Sequence, residues 1–287
     1  MYEIYTKLFD HLEIGDTVPT VIMGVLNLSP ESFYKNSVYN DLTSLETAAL
    51  EMIEGGAKML DIGARSTAPW SKRISIDEEL NRVIPSMELI CKIVPNEIII
   101  SVDTQYKKVA QKTYDIALKF KKNMIINDVS CLKTDPGLID FVIENNLPVI
   151  LMASKSIPGD LCTVEEIIGE LKKTIVLLNS RGHDPNKIII DPGIGRWIEE
   201  KTPKYDMKII GNLEKLRTLN KPILIAVSRK SFIGAILKIP EPEKRLNGTL
   251  SATAIAVYKG AHIIRTHDVS NQLAEIVKMA EEIRKSE

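Results

Sequence analysis

From Thr20 to the C-terminal helix, short apolar runs alternate with longer amphipathic stretches, and no other feature limits the fold as strongly. Eight such pairs can be traced. Read as strands, the apolar runs are Thr20 to Asn27, Lys58 to Asp61, Glu97 to Asp103, Asn123 to Asn127, Pro148 to Met152, Lys187 to Asp191, Pro222 to Val227 and His262 to Arg265. Read as helices, the intervening stretches are Leu42 to Glu54, Asp77 to Val94, Gln105 to Lys119, Asp135 to Asn145, Thr163 to Arg181, Lys208 to Leu219, Arg245 to Lys259 and Val269 to Lys285. Ser75 or Asp77, Thr104 and Thr163 stand where caps are needed, and Gly55-Gly56 and Asn145-Asn146 where helices should stop. Eight βα units in about 265 residues, with no Pro/Gly/Ser-rich linker, predict a single (β/α)8 barrel domain over 1–287 with its core at about 20–285. A doubly wound open sheet is the alternative. Residues 1 to 19 are expected to form an ordered segment that closes the bottom of the barrel.

Charge narrows the partners. Thirty-seven Lys and Arg face 38 Asp and Glu, a net charge of -1, so no global field recruits nucleic acid or an anionic membrane. Any anion site has to be local. The three cysteines have no CxxC spacing, no stretch approaches the roughly 18 apolar residues of a membrane span, and the N-terminus lacks the apolar core of a signal peptide. A soluble, cytoplasmic protein is expected. No phosphate loop, HExxH or GxSxG motif occurs, Gly193-Ile194-Gly195 lacks the third glycine of a dinucleotide fingerprint, and the four histidines have no metal-ligand spacing.

Barrel active sites are built at the carboxyl ends of the strands, so the residues standing there carry the chemistry. In order they are Asn27, Asp61, Asp103, Asn127 with Asp128, Met152 with Ser154, Asp191, Ser228 to Ser231, and Arg265 with His267 and Asp268. Each has a bland reading. Asp61 and Asp128 suit caps or loop hydrogen bonds, Asp191 can open the turn before Pro192-Gly193, and His267 can bond a helix cap near Asp268. Trp70 and Trp197 can stack on a ligand or pack under a loop. Together, however, they form two chemical groups. Asp103, Asn127 and Asp191 suit the edge of a planar heterocycle with several N–H donors. Lys230, Arg265 and His267 suit phosphate or diphosphate oxygens.

Seven segments in this order resemble the dihydropteroate synthases of the pterin-binding barrel superfamily. They are Met23 to Phe33, Asp61-Ile62-Gly63 with Ser66-Thr67, Ser101 to Thr104, Ile126 to Val129, Asp191 to Gly195, Ser228 to Ser231 and Arg265 to Val269. The resemblance implies condensation of a 6-hydroxymethyl-dihydropterin diphosphate with an arylamine, releasing diphosphate, in folate or methanopterin biosynthesis. It implies a pterin pocket of Asp103, Asn127, Asp191 and Lys230, and a diphosphate site of Asn27, Ser66, Thr67, Arg265 and His267. Lys230, Arg265 and His267 are the implied catalytic set, with Asn27 near Mg2+. Small-molecule substrates are the implied partners, together with a second copy of the chain docked through helices on the outer face.

The departures from the family pattern cluster around the arylamine. Tyr34-Lys35-Asn36-Ser37 replaces Ser-Asp-Gly-Gly, Ala64 to Pro69 replaces Gly-Glu-Ser-Thr-Arg-Pro, and Gly195-Arg196-Trp197-Ile198 replaces Gly-Phe-Gly-Lys. Ser231, Arg65 and Arg196 are therefore assigned to the arylamine side, where a bulkier or charged arylamine is one expectation. Two rival functions follow from the same barrel: a methyltetrahydropterin-dependent corrinoid methyltransferase, which has no diphosphate to neutralise, and a non-catalytic pterin-binding paralogue.

Overall fold

Period-two alternation along the strands decides where the two halves of the core lie. A computed structural model describes residues 3–29, 38–39, 41–66, 71 and 73–286. The chain opens with an antiparallel hairpin, β1 (Tyr5–Leu8) and β2 (Leu12–Gly15). There follow β3 (Val21–Asn27), α1 (Leu42–Glu54), β4 (Met59–Gly63), α2 (Ile76–Ile93), β5 (Ile99–Asp103), α3 (Lys107–Lys119), β6 (Met124–Asp128) and α4 (Pro136–Glu144). The second half runs β7 (Val149–Met152), α5 (Val164–Ser180), β8 (Ile188–Asp191), α6 (Pro203–Gly211), β9 (Leu224–Ile225), α7 (Ser231–Leu237), α8 (Leu246–Tyr258), β10 (Ile263–Thr266) and α9 (Asn271–Lys285).

β3 to β10 form one parallel sheet in the order β8-β7-β6-β5-β4-β3-β10-β9. A bridge between Ile190 and Ile223 joins β8 to the residues leading into β9, which brings the two edges of the sheet together as a (β/α)8 barrel. Side chains of one parity, such as Ile22, Leu60, Ile100 and Ile126, pack outward under the helices. Those of the other parity, including Val21, Met23, Met59, Ile99, Ile125, Ile150, Ile189 and Ile263, meet inside the barrel. Leu8, Leu12 and Ile14 of the hairpin join that inner cluster, so the N-terminal segment closes the bottom as expected.

Strand limits agree with the sequence reading to within a few residues, except that β9 is paired over Leu224–Ile225 alone. The expected helix from Lys208 to Leu219 divides into α6, which starts at Pro203, and a 3₁₀ run at Leu213–Leu219. Proline suits a first helical turn, and Gly211-Asn212 is a weak place to continue one. Ser75 caps α2, and Thr163 forms a capping box with Glu166 on α5. Thr104 does not cap α3, which begins at Lys107; its hydroxyl is committed to Glu79 at 2.7 Å. Among the described residues no helix is long and apolar enough to cross a membrane.

Candidate active site

Inward-facing positions change from apolar to polar as each strand climbs. Met59 is followed two residues later by Asp61, Ile99 by Ser101 and then Asp103, Ile125 by Asn127, Ile189 by Asp191, and Ile263 by Arg265. The barrel register sets Asp61 opposite Ser101 and Asp103 opposite Asn127. Asp61 is wholly buried and accepts from Ser101 Oγ at 2.5 Å, Asn127 Nδ2 at 3.1 Å and Arg265 Nε at 2.6 Å. Its role is not a loop cap. It is the carboxylate around which the floor of the site is assembled.

The Arg265 guanidinium spans two strands, pairing with Asp61 through Nε and with Asp103 Oδ2 through Nη2 at 3.2 Å. Burial pushes the Asp103 carboxyl up and the Asp61 charge adds to this, against the attraction of Arg265. Two carboxylates thus share one guanidinium. Asp191 is also pushed up by burial, with Lys230 and the Gly193 N–H opposing. It accepts from Gly193 N at 2.7 Å, so it both opens the turn and lines the site. Asp128 has the bland role: it accepts from Ser130 N, Ser130 Oγ and Leu132 N within its own loop.

Lys230 is delivered by a tight turn between β9 and α7. Arg229 adopts a left-handed backbone (φ 55), and its buried guanidinium makes a two-pronged bond to Asp268, at 2.8 Å from Nε and 2.6 Å from Nη2. Its Nη1 donates to the carbonyls of Pro242 and Glu243. Arg245 donates to the carbonyls of Arg229, Ile239 and Pro240, so two buried arginines hold the turn in place. Thus braced, Lys230 Nζ donates to Ile194 O at 2.5 Å and lies 5.7 Å from the centre of the Trp197 ring. Gly195, at φ 122, lets the backbone pass close under it, since a Cβ would come within 3.3 Å of Lys230 Cδ. Burial lowers the Lys230 ammonium to about 8, against the pull of Asp191. In the loop after β8 the buried Lys201 donates to Gly193 O at 2.6 Å.

His267 Nδ1 lies 2.9 Å from Ser228 Oγ, and the His267 backbone N–H donates to the same hydroxyl. Burial, aided by Arg265, Arg229 and Lys230, drives its imidazolium down to about 3, so the ring is a neutral partner rather than a cation.

These groups open on one cavity of ≈ 300 Å³. Asn27, Arg65, Ser66, Asp103, Asn127, Asp191, Arg196, Lys230, Ser231, Arg265 and His267 all line it. Thr67 and Trp70 lie outside the described residues. Trp197 lines the wall and also packs against Gly159, where a Cβ would overlap the ring. Ser29, Val129, Pro242 and Arg245, to which the sequence assigns no role in the site, join the lining. Nor does the sequence assign one to Ser101, whose hydroxyl bonds Asp61 beneath it. Period-two spacing from Ile99 is a signal that could have found Ser101, whereas nothing local marks Arg245.

With this geometry established, the relatives are informative. Residues 23–267 match the family model described as "Pterin binding enzyme". A dihydropteroate synthase of Bacillus subtilis is 37% identical over 260 residues, covering 91% of this chain and 87% of the relative. A dihydropteroate synthase from Coxiella burnetii, solved in complex with pteroic acid, superposes with a TM-score of 0.84 at 32% identity, covering 99% of this chain and 100% of that one. A Xanthomonas albilineans dihydropteroate synthase solved with 4-aminobenzoic acid superposes at 0.82 with 28% identity, covering 99% of each chain. A (β/α)8 barrel with its polar strand ends gathered in one cavity, matched over nearly its whole length by these enzymes, belongs to the dihydropteroate synthase family of pterin-binding barrels.

Proposed function

We propose that the chain condenses 6-hydroxymethyl-7,8-dihydropterin diphosphate with an arylamine, p-aminobenzoate or a derivative of it, and releases diphosphate. The observation that carries this reading is that the acceptor set Asp103, Asn127 and Asp191 shares one cavity with Lys230, Arg265, Asn27 and Ser66. A ring edge rich in N–H donors and a diphosphate are complementary to these two halves. The reported complexes of relatives with pteroic acid and with 4-aminobenzoic acid support both substrates.

In this reading Asp103, Asn127 and Asp191 take the pterin's N–H edge, and Lys230 donates to its oxo and ring-nitrogen side. Arg265, already fixed by Asp61 and Asp103, lies between ring and diphosphate. A guanidinium held before reaction need not reorganise as negative charge builds on the departing oxygen, the largest contribution such a site offers. His267, Asn27 and Ser66 add further polar contacts. The arylamine nitrogen attacks the methylene carbon, the bond to the diphosphate oxygen breaks with its electron pair, and the amine loses a proton. Ser231, Arg196 and Trp197 form the wall from which the arylamine approaches.

The reading includes Mg2+. Among the described residues no group of three His, Cys, Asp or Glu is arranged to hold a metal. Asn27, which ends β3 and lines the cavity, still fits, because Mg2+ takes hard oxygens and binds through one or two protein ligands plus substrate phosphates and water. The Asn27 amide oxygen at the end of β3 would be the protein ligand, and the bound ion would neutralise diphosphate oxygens.

Ile255, Met279 and Ile283 expose half or more of their surface on α8 and α9, which supports a homodimer through that face, to be checked by light scattering. The buried free thiols of Cys91 and Cys131 suit a reducing cytoplasm.

The decisive experiment incubates the protein with the pterin diphosphate, Mg2+ and a panel of arylamines from p-aminobenzoate to larger derivatives, and follows diphosphate release. Release with p-aminobenzoate is expected. Tight pterin binding with no release from any amine would overturn the synthase reading in favour of a binding-only protein.

A further inference from the structure

Arg65 enters the cavity from the loop after β4, and its guanidinium is fixed by two neighbours. Nε donates to Glu79 Oε2 at 2.7 Å, and the guanidinium carbon lies 4.9 Å from the centre of the Tyr106 ring. Glu79, on the first turn of α2, is 1% exposed, and its other oxygen accepts from Thr104 Oγ1 at 2.7 Å. Arg82 of the same helix donates to Ala64 O, so α2 grips both the backbone and the side chain of this loop. One guanidinium nitrogen, Nη2, is buried and has no hydrogen-bond partner among the described residues. A buried charged donor left unsatisfied is costly, and an anion that reached it from the cavity would remove the cost.

Strand order says which anion. Around the barrel β10, β3 and β4 are consecutive neighbours, and they carry Arg265 with His267, Asn27 with Ser29, and Arg65 with Ser66. Arg196 and Ser231 follow β8 and β9, beyond β10. We propose that Arg65 binds the departing diphosphate rather than the arylamine, and that Glu79 is the positioning residue that holds its guanidinium, with Thr104 fixing the carboxylate. The inference rests on the condensation reading and moves Arg65 from the arylamine side, where the sequence alone assigned it.

The test uses the full chain and inorganic diphosphate as probe, with equilibrium binding and product inhibition measured for Arg65→Ala, Arg65→Lys, Glu79→Gln and Arg65→Ala/Glu79→Gln. Arg65→Ala should weaken diphosphate binding by about 10–100-fold and leave the KM for p-aminobenzoate within about twofold. Arg65→Lys should recover only part of the loss, because an ammonium cannot reproduce the fork. Glu79→Gln should weaken diphosphate binding by about 3–10-fold, and the double variant should be no worse than Arg65→Ala alone. Thr104→Val provides a second route to Glu79 that leaves its charge in place, with a smaller loss in the same direction. Unchanged diphosphate affinity in Arg65→Ala, or a raised p-aminobenzoate KM in its place, overturns the assignment. Additive losses in the double variant overturn the positioning role of Glu79. Binding needs no turnover, so a wild-type protein that binds diphosphate yet makes no product would refute the synthase reading and leave this one standing or falling on Arg65→Ala.

Discussion

The two ends of the barrel both bury charge, with opposite results. At the bottom, Asp16 accepts from Arg217 Nη1 at 2.6 Å and Nη2 at 2.8 Å, from Ile4 N at 2.7 Å, and lies 3.3 Å from His262 Nε2. Burial opposes its charge, but Arg217, His262 and the Ile4 N–H hold its carboxyl well below the usual range. At the top, Asp61 and Asp103 share one guanidinium, and Asp103 and Asp191 are pushed up while Lys230 is pushed down. A carboxylate given donors on every side is a structural tie. Carboxylates crowded around too few cations, beside a cavity, retain electrostatic capacity for a ligand.

Breaking the top first gives the largest effect. Arg265→Gln should remove the guanidinium on which Asp61 and Asp103 depend, lowering kcat/KM by about 10³-fold or more and destabilising the fold by about 3–5 kcal/mol. Chemical denaturation and steady-state kinetics measure both losses, and a stable, active variant would show that the two carboxylates find other partners. Next, Lys230→Ala should lower kcat/KM by about 10²–10³-fold and weaken pterin binding, with a melting temperature close to wild type. Undiminished pterin affinity in that variant would refute the pocket assignment.

The bottom should behave in the reverse sense. Asp16→Asn is expected to cost about 2–4 kcal/mol of stability and to leave kcat/KM within about twofold, because it sits under the hydrophobic floor. The folded pKa of Asp16 lies below its unfolded value near 4, so its contribution is complete above about pH 4 and is lost as pH falls further. Stability curves of wild type and variant should therefore converge in acid, and parallel curves would count against the tie. The smallest effect is a pH profile. If Lys230 works as a cation, kcat/KM should decline as pH rises through about 8, and Lys230→Arg should carry the plateau higher at reduced rate.

Much of this contrast was legible before folding. Strand ends could be read because a strand's apolar run stops abruptly where a polar residue faces the cavity, as at Asp103, Asn127 and Asp191. Asp61 shows the limit of that reading. Its position was evident, but its part in the floor depends on Ser101 and Asn127 from neighbouring strands and on Arg265, 204 residues away. Thr104 shows the same limit, since a residue with the chemistry of a cap instead holds Glu79. The Glu79–Arg65 pair joins a helix turn to a loop, and Arg245 reaches back to the Lys230 turn, with no periodic signal for either contact.

By itself the sequence determined the βα alternation that favours a (β/α)8 barrel, the order of its elements, the polar character of the strand ends and the kinship to pterin-binding enzymes. These depend on local periodicity and on short segments that keep their meaning in isolation. Tertiary structure decided which carboxylate is the hub, which lysine and histidine are driven toward their neutral forms, and which arginines brace the turn and which pair with the carboxylates of the site. Those outcomes depend on distances between residues far apart in the chain and on the water that burial removes. Barrel closure sets both together.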